Sequence, residues 1–131
     1  MLWLRIKRRL KGIGHSRGFG VQSPFAYNFV TTLRKDIMHS HDKKASTLQW
    51  FERNYGDNLV VAKANIALQK VEEMTDSTVL LVDGIYDSLE NYECWKRLCA
   101  DNRLTATFDI LYFGVAFAVK GLYKKDYIIN I

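Results

Sequence analysis

Few residues in this chain are of a type and spacing suited to chemistry, and they are scattered. Asp83, in Asp83-Gly84-Ile85-Tyr86, stands where a run of β-favouring apolar residues stops and a helix is about to begin. A carboxylate there can accept hydrogen bonds from a ligand, bind a cation or cap a helix, but acid–base catalysis also needs a partner group. Asp83 is therefore the candidate catalytic residue, and Asp83 and Tyr86 are the candidate cofactor contacts. With no partner base in view, capping the helix or satisfying loop amides is the preferred role for Asp83. His15, His39 and His41 lie in loop-like context and lack a third ligand, so they read as solvated. Cys94 and Cys99 are five apart on one predicted helix and face different ways, which disfavours a disulfide or a metal site. Both are expected to be reduced, partly buried thiols, and no metal centre is expected.

A second candidate is the glycine-rich stretch 12–20, which invites a phosphate-loop reading. A dinucleotide loop follows a buried strand and opens a tightly packed helix. Here a basic helical segment precedes it and the spacing is G-x-G-x-x-x-G, so a flexible connector is the expectation.

The elements that must position these residues belong to one domain of 131 residues, long enough to bury a core. Apolar residues are 48% and charged residues 25%, which excludes a disordered or fibrous chain. The net charge of +5 is unevenly placed: residues 1–35 carry eight Lys and Arg and no acid, leaving eleven basic against fourteen acidic residues beyond. A basic arm and connector (1–20) on a mildly acidic body (21–131) is the expected organisation. The arm's segment 2–10 is amphipathic, with Trp3, Ile6 and Leu10 on one face, and is expected to pack on protein. No apolar run reaches the roughly 18 residues of a membrane span. Without a convincing export signal, the expected location is the cytoplasm.

Ser23-Pro24 predicts a helix start, and Phe25, Phe29, Leu33 and Ile37 predict its apolar face. A second helix is expected over 44–54, burying Leu48, Phe51 and Trp50, then a turn at 55–58 and a short buried strand at 59–62. Helical spacing returns over 64–74, with Ala64, Ala67, Leu68, Val71 and Met74 inward. Residues 78–82 read as a central strand covered on both faces. Asp87 and Glu90 have capping-box spacing for a helix reaching about Ala100, with Leu89, Tyr92, Trp95 or Lys96, and Cys99 inward. Residues 104–111 and 115–119 predict antiparallel strands split by Tyr112-Phe113-Gly114, and 127–131 an edge strand or hairpin extension.

Two blocks carry a resemblance. Residues 20–27, Gly-Val-Gln-Ser-Pro-Phe-Ala-Tyr, are similar to the H-G-x-H-S-P-F-x-(Y/F) segment of small bacterial class I S-adenosylmethionine-dependent methyltransferases. Residues 79–131 resemble the last third of those enzymes through Trp95, Arg103, Thr105, Thr107, Asp109, Gly114, Val115, Phe117, Lys124, Tyr127 and Ile129. The resemblance implies a reduced Rossmann-like methyltransferase sheet of about 4–5 strands, a parallel core with an antiparallel C-terminal hairpin, flanked by helices.

Between the blocks the family pattern is lost. No glycine occurs between Gly56 and Gly84, where the family places its cofactor loop. Gln22 stands where the family has His, and Asp83-Gly84-Ile85-Tyr86 where it often has D-D-I-H. An internal deletion of middle strands explains both the length and the missing loop. The expected function is a non-catalytic methyltransferase-like domain acting through protein contacts, as a homodimer or with a full-length methyltransferase relative, with no cofactor. One alternative is an S-adenosylmethionine-dependent enzyme whose site a second subunit completes. Another is nucleic-acid or membrane-surface binding through the basic arm, which lacks a recognition module, so neither partner is expected.

Overall fold

Across residues 23–131, which the computed structural model describes, five strands form one mixed sheet with helices on both faces. The segment 2–10, the stretch 12–20 with His15, and Gln22 lie outside the described residues. Helix α1 (Pro24–Ile37) begins as its sequence predicts: Ser23 Oγ accepts from the Ala26 N–H, and proline takes the first turn. Phe29, Leu33 and Ile37 are buried, with Phe25 partly so, which confirms the four-residue periodicity. Helix α2 (Lys43–Tyr55) is capped by Asp42, whose Oδ1 accepts from the Ala45 N–H at 3.0 Å. It is tied to α1 by the Trp50 indole N–H, which donates to Asp36 Oδ2 at 2.8 Å.

Strand β1 (Leu59–Lys63) leads through helix α3 (Ala67–Lys70) and a 3-10 turn (Val71–Glu73) to strand β2 (Val79–Asp83). Helix α4 (Leu89–Cys99) then leads to β3 (Ala106–Asp109), β4 (Phe113–Phe117) and β5 (Lys125–Ile128). The sheet order is β1-β2-β4-β3-β5. Every strand points the same way except β4, which runs antiparallel to both β2 and β3. The expected Rossmann-like α/β sheet, parallel with an antiparallel C-terminal hairpin, is the observed architecture.

Period-2 alternation divides the core in two. Val79 and Leu81 of β2, Phe108 of β3, and Val115 and Phe117 of β4 face α1 and α2, where they meet Phe29, Leu33, Trp50 and Phe51. Leu80, Val82 and Ala116 face the other way, toward α3 and α4, with Ala67, Val71, Trp95 and Leu98. The run Val79 to Val82 is wholly buried because both faces are covered. Gly114 on β4 is required by packing: a Cβ there would fall inside the van der Waals envelope of the Trp95 indole. The β3–β4 turn holds Leu111 at φ 78°, its N–H donating to Asp109 Oδ1 at 3.0 Å.

Several local expectations need correction. Among the described residues strand β1 is an edge strand, not a buried one, and Val61 is 50% exposed because β1 pairs there on one side only. The helix expected over 64–74 shortens to four residues plus a 3-10 turn, and Leu68 is exposed. The chain must turn there to re-enter the sheet, and hydrogen bonds between Thr75 and Thr78 close the turn. Helix α4 is capped by Ser88, whose Oγ accepts from the Asn91 N–H at 3.0 Å, rather than by Asp87. Its buried residues are Trp95 and Leu98, while Leu89 and Lys96 are exposed. Phe113 and Gly114 belong to β4 instead of the turn. The C-terminal strand starts at Lys125 and is an edge strand parallel to β3.

Candidate functional site

In open α/β sheets, ligands bind beyond the C-terminal ends of the parallel strands. Here β1, β2 and β3 end in Lys63, Asp83 and Asp109. Lys63 lies beside Asp83 by strand register, and its Nζ donates to Asp83 Oδ2 at 2.8 Å. Lys44, in the first turn of α2, brings its Nζ to 3.2 Å from Asp83 Oδ1. That approach is an ion contact rather than an aligned hydrogen bond, and among the described residues Oδ1 has no hydrogen-bond partner. Partial burial pushes the Asp83 carboxyl up, but the two ammonium groups together outweigh it and hold the carboxyl below the usual carboxylate range. A carboxylate clamped between two cations and shifted that way is a weak base at neutral pH.

The chain leaves Asp83 through Gly84 at φ 78°, a left-handed position suited to glycine. The Asp87 N–H and the Asn91 side-chain amide both donate to the Gly84 carbonyl, at 3.1 and 2.9 Å. Tyr86 then enters the core at 4% exposure. Its hydroxyl donates to Asp109 Oδ2, and its ring stacks on Tyr92 at 5.6 Å. Asp83 and Tyr86 are therefore not brought together: Asp83 lies on the α1/α2 face and Tyr86 in the α3/α4 core. Asp109, which accepts from the Tyr86 hydroxyl, is 4% exposed.

An adenosyl ligand needs backbone that can be approached closely after the strand that carries it. Residues 63–66 here are Lys-Ala-Asn-Ile. Ala64 packs its side chain into the core, its N–H donates to the Asp83 carbonyl at 3.0 Å, and the Ile66 N–H turns back to the Lys63 carbonyl. Lys63 covers the carboxylate beside it. The residues at this strand end do not fit an adenosyl group.

The residues that carry the family resemblance hold the sheet together. Trp95 packs on Gly114. Arg103 chelates Asp101 through Nε at 3.0 Å and a terminal nitrogen at 2.7 Å, holding the Asp101 carboxyl at about 2. Thr105 Oγ1 donates to the Val119 carbonyl and Thr107 Oγ1 to Asp126 Oδ1. Lys124 donates to the carbonyls of Asp101 and Leu104, and Tyr127 stacks on Phe108 at 4.9 Å.

His39 and His41 are exposed, and among the described residues no group of His, Cys, Asp and Glu is placed to hold a metal ion. Cys94 and Cys99 are free and half-buried; burial pushes the Cys99 thiol up to about 12, which makes it unreactive. Among the described residues no helix is long and apolar enough to cross a membrane. A cavity of about 330 Å³ between α1 and β5 and a groove near Arg103 and Lys120 lie at the opposite end of the sheet and touch neither Asp83 nor Tyr86. Sequence reasoning missed Lys44 and Lys63 as the partners of Asp83; an Asp and a Lys both at strand ends were the available signal. Comparison with protein-family models, with curated proteins and with solved structures returned no match.

Proposed function

We propose that this chain is a reduced, methyltransferase-like domain that no longer performs cofactor chemistry and works through protein contacts in the cytoplasm, as a homodimer or beside a full-length relative. The observation that carries the reading is the state of Asp83. The carboxylate best placed for catalysis is closed by Lys44 and Lys63 and separated from Tyr86 by the sheet. The missing glycine turn after β1 supports it further, since Ala64 fills the space against which an adenosyl group would lie. A crossover of only residues 64–78 between β1 and β2 supports loss of the middle strands. The family-like residues 95–129 support retention of the scaffold, because they brace the sheet and its flanking helices. Two free thiols suit a reducing compartment.

Calorimetry with S-adenosylmethionine and with its demethylated product tests this directly. No heat of binding is expected for either. Micromolar binding of either would overturn the reading in favour of a site completed between subunits.

A further inference from the structure

The two edges of the sheet differ in kind. On β5 the exposed residues are Lys125 and Asp126, charges of the sort that keep an edge from templating another strand. On β1 the sequence Leu-Val-Val-Ala carries no charge before Lys63, and Val61 stands half exposed. The Ala64 N–H donates to the Asp83 carbonyl, and Ala62 is in register with Val82. Together these fix the parity of the ladder: residues 60, 62 and 64 direct N–H and C=O toward β2. Leu59, Val61 and Lys63 therefore direct theirs outward.

Two of those six outward groups already have partners. The Leu59 N–H donates to the Gly56 carbonyl, and the Lys63 carbonyl accepts from the Ile66 N–H at 3.1 Å. Among the described residues the Leu59 carbonyl, both backbone groups of Val61, and the Lys63 N–H have no partner. We propose that this edge pairs with a second copy of itself, antiparallel about a two-fold axis at Val61, joining two five-stranded sheets into one continuous sheet. The proposal rests on the reading that this chain works through protein contacts.

In that register the two Val61 residues exchange both of their hydrogen bonds, and each Lys63 N–H donates to the partner's Leu59 carbonyl. Every free group is satisfied, and the two groups left facing each other are the ones already bonded at home. Sliding the pairing by two residues, to set Leu59 against the partner's Val61, would aim the engaged Leu59 N–H at a free carbonyl. Side chains agree with the central register. Val61 meets the partner's Val61 on one face and Val60 meets the partner's Ala62 on the other, apolar against apolar. Lys63 falls opposite Leu59, so the two ammonium groups sit at opposite ends of the junction. Exposed Asp57 continues the chain toward the end where the partner's Lys63 lies, which places opposite charges together. Ile66 and Leu68, exposed just beyond the strand, extend the apolar border.

Sedimentation equilibrium tests the proposal, with a mass of two chains expected at micromolar concentration. Val61→Pro removes an outward N–H and no bond to β2, so the fold is retained while the dimer weakens by at least about tenfold. Val61→Lys, which sets like charges face to face, is expected to dissociate it too, and β-branched Val61→Thr to preserve it. Val61→Cys is expected to cross-link into dimers under mild oxidation and Leu59→Cys not to, because only residue 61 meets its own copy. A one-chain mass for the native protein, an unaltered dimer in Val61→Pro, or equal cross-linking by Leu59→Cys would each overturn the proposal. Those results leave the calorimetric test untouched, so the two readings fail separately.

Discussion

Asp83 and Asp109 end strands that run the same way on either side of β4, yet the sheet turns them into opposite environments. Asp83 sits on the α1/α2 side, its side chain 18% exposed, where two solvent-exposed lysines compensate it. Asp109 sits on the α3/α4 side, buried, and there accepts hydrogen bonds from the Tyr86 hydroxyl and the Leu111 N–H. Asp83 is compensated chiefly by charge, and Asp109 receives two aimed donors. Charge compensation in water is weak and easily screened, whereas a buried hydrogen-bonded group is costly to disturb. The residue that looks functional in the sequence thus contributes little to the fold, and the one that looks ordinary should contribute much.

Mutation can break or sharpen that contrast. Asp109→Ala leaves the Tyr86 hydroxyl and the Leu111 N–H without this acceptor inside the core, and should cost about 3 kcal/mol, near 10 °C in melting temperature. Tyr86→Phe removes one donor from the same cluster and should cost about 1–2 kcal/mol in chemical denaturation. Asp83→Ala should shift melting by no more than about 2 °C at moderate salt. A larger loss from Asp83→Ala than from Asp109→Ala would reverse the comparison. High salt should erase the small Asp83 effect. Acid gives the finest test. The Asp83 carboxyl titrates below its unfolded value, so its contribution is complete above the ordinary carboxylate range and is lost as pH falls through the lowered one. Asp83→Asn should flatten that acid limb, and a limb unchanged from the native curve would remove the ion-pair account.

Much of the fold could be read from local signals. Ser23-Pro24 and the four-residue spacing placed α1, and the unbroken Thr78 to Val82 run placed β2, because capping and burial on both faces leave marks within a few residues. The failures are non-local. Leu59 to Ala62 has the composition of a buried strand, but exposure depends on whether another strand arrives beside it, and none does among the described residues. A cap placed one residue early, at Asp87 instead of Ser88, accompanied an inward face for α4 that wrongly included Leu89. Asp83 was found as a candidate, but its clamp depends on Lys44 from a helix far earlier in the chain. The Tyr86–Asp109 bond joins residues 23 positions apart, a pairing made by sheet order alone.

The indole of Trp95 and the missing side chain of Gly114 share one fixed volume between α4 and β4. That sharing limits how the chain can drift. A methyl gained at position 114 has nowhere to go unless position 95 gives up part of its ring, so each change alone is expected to be disfavoured. The two sites therefore behave as a single locus written in two places, and descendants of this sequence should be found with both altered or with neither.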